Sequence, residues 1–336
     1  MVDRPNKPTP LPSSATAPSN IPGPSITHST DPSPSITATL PTGESVTVLL
    51  HGATVTSWKS VAPNSSEPIE NLWLSSAAKL DGSAAVRGGI PVVFPVFGPP
   101  PKEGHPTSTL PQHGFARNAQ WEFLGKSSSE STAGDAKKGA GGGADDTVKL
   151  DFGLYSQKLG EDVRAKWPFD FGLVYSVTLT REGLETMMTV RNEGEKAFEF
   201  QVLLHTYLRV KDITQTHITG LLGLSYTDKV LNATQHTESN ARLSITGETD
   251  RVYTRIPQST TSIMCADKPR FDIVRDNLSD TVVWNPWTEK AKAMKDFEPN
   301  EGYKEMICVE VGAVDGWTTL EGGETWEAGQ IIKSHL

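Results

Sequence analysis

Two cysteines, Cys265 and Cys308, are all that 336 residues contain. So few exclude a disulfide framework and a thiolate zinc cluster. Both lie in apolar stretches and read as reduced, buried thiols of a cytoplasmic protein. Basic residues are also scarce: 31 Lys and Arg stand against 40 Asp and Glu, for a net charge of −9. That balance argues against nucleic acid or an anionic membrane as the main partner. No apolar run approaches the roughly 20 residues of a membrane span. The first residues carry neither an apolar block like that of a secretory signal nor the arginine density of a mitochondrial presequence. The cytoplasm is therefore the expected location. Helical periodicity is weak almost throughout, and its best stretch is the short run at 288–295.

What the chain does have is a succession of short β-prone runs. Residues 53–58 alternate with period two after the turn at His51-Gly52, the pattern of a half-buried strand. Further candidates recur at 45–50, 121–124, 148–154, 173–180, 185–191, 198–210, 251–255, 261–264, 271–274, 281–284, 306–311, 317–320 and 325–332. Many short strands and few helices point to an all-β fold, a sandwich or barrel rather than α/β. Two low-complexity tracts interrupt it. Residues 1–34 are rich in Pro, Ser and Thr and hold nine of the 24 prolines. Such a segment buries too little apolar surface to offset its ordering entropy, so it reads as a disordered extension before a domain spanning 35–336. Residues 126–146 are Ser-rich, then Gly/Ala-rich. With strand candidates on both sides, they read as a long flexible hairpin tip rather than a linker.

The chain is organised around residues 84–98, where Arg87 precedes Gly88-Gly89 and an apolar run bounded by prolines. The glycines permit a tight turn or a close approach. The run has no polar face and reads as a buried strand holding Arg87 at its mouth. A cation fixed there suits an anion such as a phosphate; the plainer alternative is a turn arginine paired with a surface carboxylate. Residues 110–117 pack Gln112, His113, Gly114 and Arg117 into one loop, either a polar cap or a site that hydrogen-bonds hydroxyls and adds a second guanidinium to Arg87. His205, in the apolar run 200–210, shares a strand face with Leu203 and Tyr207; by itself it fits a satisfied core histidine as well as a catalyst. Glu310 alternates with Val309 and Val311 and falls on the face of Cys308. It is either outward and wet or inward and costly, and inward its pKa would rise. That state suits a general acid or base.

Taken together these pieces resemble the aldose 1-epimerase (mutarotase) superfamily and, within it, the hexose-6-phosphate branch. The resemblance runs from about residue 36 to the C-terminus. Its motifs are His51-Gly52-Ala53-Thr54-Val55, Trp73-Leu74-Ser75, Lys79-Leu80-Asp81-Gly82, 86–98, 110–117, 204–208, 306–312 and Asp280-Thr281-Val282-Val283-Trp284-Asn285-Pro286-Trp287. It implies a large twisted antiparallel β-sandwich with a sugar site in its concave face. It also implies a reaction without metal or cofactor, in which the α and β anomers of a hexose 6-phosphate such as glucose 6-phosphate interconvert. By the same resemblance His205 matches the catalytic acid and Glu310 the base, on opposite sides of the bond that opens. Arg87 and Arg117 match phosphate-binding arginines, and Gln112 and Asp250 match substrate contacts. His113 and Trp284 are site neighbours.

A small-molecule sugar phosphate is thus the expected partner, and nothing in the chain demands an oligomer. The two low-complexity tracts fall outside the motifs and are expected to leave the site intact. An epimerase of neutral sugars is the nearest rival, and the arginine pair disfavours it. A non-catalytic sugar-phosphate binder would have no use for both His205 and Glu310. A glycoside hydrolase would need a second convincing carboxylate.

Overall fold

A computed structural model describes residues 23–127 and 147–336 as an antiparallel β-sandwich. In spatial order the nine-stranded sheet runs Leu243–Ser244, Thr216–Thr219, Thr260–Cys265, Lys268–Asp276, Thr325–Ser334, Gly183–Asn192, Phe171–Thr180, Thr147–Tyr155 and Glu122–Ser127. The sheet that carries the site runs Thr234–Thr237, Ser225–Asp228, Thr249–Tyr253, Asp280–Asn285, Met306–Leu320, Phe198–Leu204 and Val92–Val93; Tyr207–Arg209 also pairs with Met306–Leu320. A third sheet is a meander from Ser25–Ser29 to Pro68–Glu70.

Alternation explains the layering. In Thr147–Tyr155, Val148, Leu150 and Phe152 are buried while Lys149 and Asp151 are half-buried, so this strand turns one face to the core. The central strands of the site sheet are buried on both faces. Ile307, Val309, Val311, Val283 and Leu204 join the large core, with Phe152, Tyr175 and Phe271. Cys308, Trp284, Val282, Tyr207 and Leu203 turn the other way, into a second cluster with Trp73, Phe297 and Tyr303. The functional side chains sit on that second face.

Several expectations shift. Structure begins before Ile36: Ser25–Ser29 pairs with Ser35–Thr39, and Ile26 packs against the core. The local Pro and Ser content masked this strand. Residues 1–22 and 128–146 lie outside the described residues, and most of both low-complexity tracts with them. Glu122–Ser127 and Thr147–Tyr155 pair antiparallel, so Lys126 and Ser127 belong to a strand rather than to the insertion. The expected helix is Trp287–Ala293, and a second short helix, Glu161–Lys166, was not legible. Cys308 is buried as expected, but Cys265 is only half-buried. Among the described residues no helix is long and apolar enough to cross a membrane.

The stretch 84–98 is buried but mostly irregular; only Val92–Val93 is a strand. Pro91 and Pro95 have no N–H to donate to a ladder. The same defect breaks the run 198–210 at His205-Thr206. There His205 N donates to Pro91 O at 3.0 Å and Tyr207 N to Gly89 O at 2.9 Å, but Pro91 has no N–H to return. Gly88 and Gly89 have φ of 122° and 68°. A Cβ on Gly89 would lie 2.1 Å from the carbonyl oxygen of Val55. The glycines thus admit neighbouring backbone, not a ligand. Left-handed backbone costs a non-glycine residue about 1–2 kcal/mol before any clash. Gly89→Ala should therefore lower unfolding free energy by more than about 2 kcal/mol, read as a lower urea midpoint; an unchanged midpoint would show that the turn yields.

Candidate active site

The site follows from strand register. Leu204 pairs with Val311, and Tyr207 pairs with Cys308. Carried through the break, that register sets His205 opposite Glu310. Cross-strand neighbours on one face lie close enough for their side chains to meet, and His205 Nδ1 is 3.3 Å from Glu310 Oε1. The contact has ion-pair distance but not hydrogen-bond alignment, for Nδ1 is buried without a hydrogen-bond partner. The imidazole stacks on Tyr207, with ring centroids 4.7 Å apart. Val282 pairs with Glu310 and Trp284 with Cys308 on the far side, and Asp250 pairs with Trp284 beyond. One sheet face thus presents, side by side, an imidazole, two carboxylates and an indole.

These residues floor a cavity of about 350 Å³. Arg87, Gln112, His113, Asp250 and Trp284 line it with His205 and Glu310, as do Phe97, Lys229 and Lys290. Arg117 is not among the lining residues. It stands one layer back, where its Nη2 donates to the Gln112 carbonyl at 2.9 Å and its Nε is buried without a partner. Of the expected pair of guanidiniums, Arg87 lines the cavity with Lys229 and Lys290, and Arg117 stays within electrostatic reach of Arg87, His113 and His205. Glu310 points inward, at 1% exposure, which settles the choice the alternation left open. The acid and base expected on opposite sides of a bond are instead adjacent.

Each group is held. Arg87 reaches Asp296 with Nε and Nη2, both at 3.1 Å, and donates from Nη1 to the Tyr207 hydroxyl at 3.1 Å. It is thus both a cavity cation and the carboxylate-paired turn arginine of the plainer reading. One N–H on each terminal nitrogen remains for an anion. His113 has a φ of 66°, and its Nδ1 accepts from Gly98 N at 3.1 Å. Next to it, Gly114 passes Phe94 so closely that a Cβ would lie 2.1 Å from its carbonyl oxygen. Lys229 lies over the Phe97 ring, 4.0 Å from its centroid, and 3.9 Å from Asp250. Asn285 donates to the carbonyls of Tyr303 and Met306, both at 2.9 Å, and accepts from Trp287 N. It thereby fixes the end of the strand that carries Trp284.

Burial sets the charge states. It pushes the Glu310 carboxyl well above its ordinary value; Asp250 adds to the shift and Lys229 opposes it. Burial pulls the His205 imidazole well below its ordinary value, and His113, Arg87 and Arg117 pull the same way. His113 is pulled down to about 3 by burial and then by Arg117, Lys229 and Arg87. Burial raises Asp250, with Lys229 opposing. Both shifts at the central pair favour the neutral forms. A neutral acid beside a neutral imidazole and a carboxylate beside an imidazolium are the same pair with one proton moved.

Lys229, Lys290, Asp296 and Tyr207 were not singled out from sequence. Tyr207 lay within a quoted motif, but its hydroxyl contact with Arg87 spans 120 residues. The lysines come from a hairpin and a short helix without local signature.

A β-sandwich with a buried imidazole–carboxyl pair at the floor of a polar cavity is the layout of an acid–base carbohydrate enzyme. Comparison with known proteins narrows the class. The family model described as aldose 1-epimerase matches residues 34–333. A protein of Cenchrus ciliaris named "Putative glucose-6-phosphate 1-epimerase" is 34% identical over 290 residues, covering 85% of this chain and 80% of its own. One of Escherichia coli K12 with the same name is 34% identical over 262 residues, covering 78% and 77%. The crystal structure titled a "putative mutarotase (YeaD)" from Salmonella typhimurium superposes with a TM-score of 0.75 at 28% identity, covering 94% of this chain and 96% of that one. The chain belongs to the aldose 1-epimerase family. It is an isomerase of the epimerase type, and its reaction interconverts sugar anomers.

Proposed function

We propose that the chain interconverts the α and β anomers of a hexose 6-phosphate, with glucose 6-phosphate the first to test. The observation that carries this reading is the trio Arg87, Lys229 and Lys290 on the wall of the cavity that holds His205 and Glu310. Arg87 is paired with Asp296, Lys229 lies 3.9 Å from Asp250 and Lys290 lies 2.9 Å from Glu248; an anionic substituent would share these cations with their carboxylates in a chain that is acidic overall, at −9. Arg117 adds charge from behind Gln112. Gln112 and Asp250 line the same cavity, and we assign them to sugar hydroxyls. We read the enzyme as a cytoplasmic monomer.

Ring opening takes one proton from the C1 hydroxyl and gives one to the ring oxygen. Glu310 accepts the first and His205 donates the second, so the bond from C1 to the ring oxygen breaks as the carbonyl forms. Both oxygens hang on the same carbon, so an adjacent acid and base reach both; opposed groups are not required. Opening leaves the pair neutral, the state burial favours. After rotation about C1–C2, the ring closes on the other carbonyl face with roles reversed.

A hydrogen bond to a charged group is worth about 1.5–3 kcal/mol. Arg87→Ala should therefore lower kcat/KM for glucose 6-phosphate by about tenfold to more than a hundredfold, mainly through KM, and Arg117→Ala, which removes a charge but no group of the cavity wall, should lower it less. The rate on glucose should barely change. The check is anomer exchange by NMR or polarimetry on both sugars, with the spontaneous rate subtracted. Equal losses on both would assign the arginines to folding of the cavity, and no loss on glucose 6-phosphate would remove the phosphate from the reading.

A further inference from the structure

Directly behind the acid–base pair lies a group the reaction leaves idle. Cys308 is buried, free and not among the cavity-lining residues. It is two residues from Glu310 on the same strand face and opposite Tyr207 in register. One ligand atom each from His205, Cys308 and Glu310 lies within 4.8 Å of the others. His205 is 9% exposed, and its Nδ1 is buried without a hydrogen-bond partner.

We propose that His205, Cys308 and Glu310 form a three-ligand site for a thiophilic divalent cation such as Zn²⁺, and that occupying it switches the enzyme off. Zinc bonds of about 2.0–2.3 Å put tetrahedral ligand atoms roughly 3.3–3.8 Å apart. The three ligand atoms lie within 4.8 Å of one another, so a bound ion would draw the widest pair in by about 1 Å or more. A thiolate with an imidazole selects zinc or cobalt over magnesium or calcium. The cavity side supplies the fourth position, open to water or another small ligand. Charge balances on binding. Binding takes Cys308 as thiolate and releases its proton. One thiolate, one carboxylate, one neutral imidazole and Zn²⁺ sum to zero, so the filled site adds no net charge to the buried face. The ion holds both proton-transfer groups, so binding excludes turnover. That inhibitory consequence rests on the roles proposed for His205 and Glu310; the site itself does not.

The test uses the full chain, with ZnCl₂ and MgCl₂ as probes in the anomer exchange assay and CoCl₂ in absorption spectroscopy. Wild type and Cys265→Ser should be inhibited alike by Zn²⁺ and not by Mg²⁺, competitively with glucose 6-phosphate and reversibly with EDTA. Cys308→Ala should keep the basal rate. Even outer-shell changes cost 10–100-fold in metal affinity, so losing a ligand should raise the inhibitory Zn²⁺ concentration by more than about a hundredfold. Co²⁺ should give a thiolate charge-transfer band in Cys265→Ser. With two cysteines in the chain, that band reports Cys308 even if Cys308→Ala fails to fold or no epimerase activity is found. Absence of the band, or equal Zn²⁺ sensitivity in wild type and a folded Cys308→Ala, overturns the site. A band without inhibition leaves the site standing and rejects the roles given to His205 and Glu310.

Discussion

Glu310→Gln should abolish most turnover and leave the protein at least as stable as wild type. The two effects have one cause. Glu310 is a fully buried carboxyl, held well above its ordinary pKa by burial and then by Asp250. Its folded state therefore binds a proton more tightly than the unfolded chain does. A raised pKa contributes stability below the unfolded value, and that stability is lost as pH rises through the folded value. Glutamine keeps the shape and never ionises, so the variant's advantage in Tm should grow with pH. Glutamine cannot accept the C1 hydroxyl proton either, and a positioned proton-transfer group is worth roughly 10²–10⁴-fold. The measurements are anomer exchange and a pH series of thermal melts. Wild-type turnover in the variant would remove Glu310 as base. A variant that melts lower, with a gap that widens as pH rises, would show the carboxylate to be satisfied when charged, against the burial argument.

How much of this was legible in the sequence depended on distance along the chain. Alternation around Glu310 told which neighbours it would share a face with, and Cys308 is indeed there. It could not tell inward from outward, because both faces of Met306–Gly312 are buried and the pattern carries no polarity. His205 sharing a face with Leu203 and Tyr207 was likewise readable, and both lie in the second cluster. The break at His205 was not, since its cause is a proline 114 residues away that becomes a strand neighbour only in the fold. Motif order gave the family and the β-sandwich. It assigned both arginines to one phosphate; in the fold Arg87 lines the cavity, while Arg117 Nη2 donates to the Gln112 carbonyl within electrostatic reach of Arg87. The lysines were invisible for a related reason. Lys229 follows Ser225–Asp228 and Lys290 lies in Trp287–Ala293, and only the twist and packing of the sheet bring them to one wall.

His205→Asn should lose turnover by roughly 10²–10⁴-fold as well, and the double variant with Glu310→Gln should be little slower than the worse single one. At 3.3 Å, and in the roles proposed above, neither residue would do its half of ring opening unless the other took the complementary half, so deleting one should disable both. Groups that act as a unit are strongly non-additive in this way. The histidine also leaves a stability signature of opposite sign to the glutamate's. Burial, then His113, Arg87 and Arg117, hold its pKa well below the ordinary value. A lowered pKa contributes stability above the unfolded value near 6.5, lost as pH falls through the folded value. His205→Asn should therefore lose less stability than wild type on acidification from that point. Anomer exchange on the four proteins of the cycle, with melts between neutral and acidic pH, checks both claims. Losses that multiply in the double variant would mean two independent groups, and the coupled roles would have to be given up.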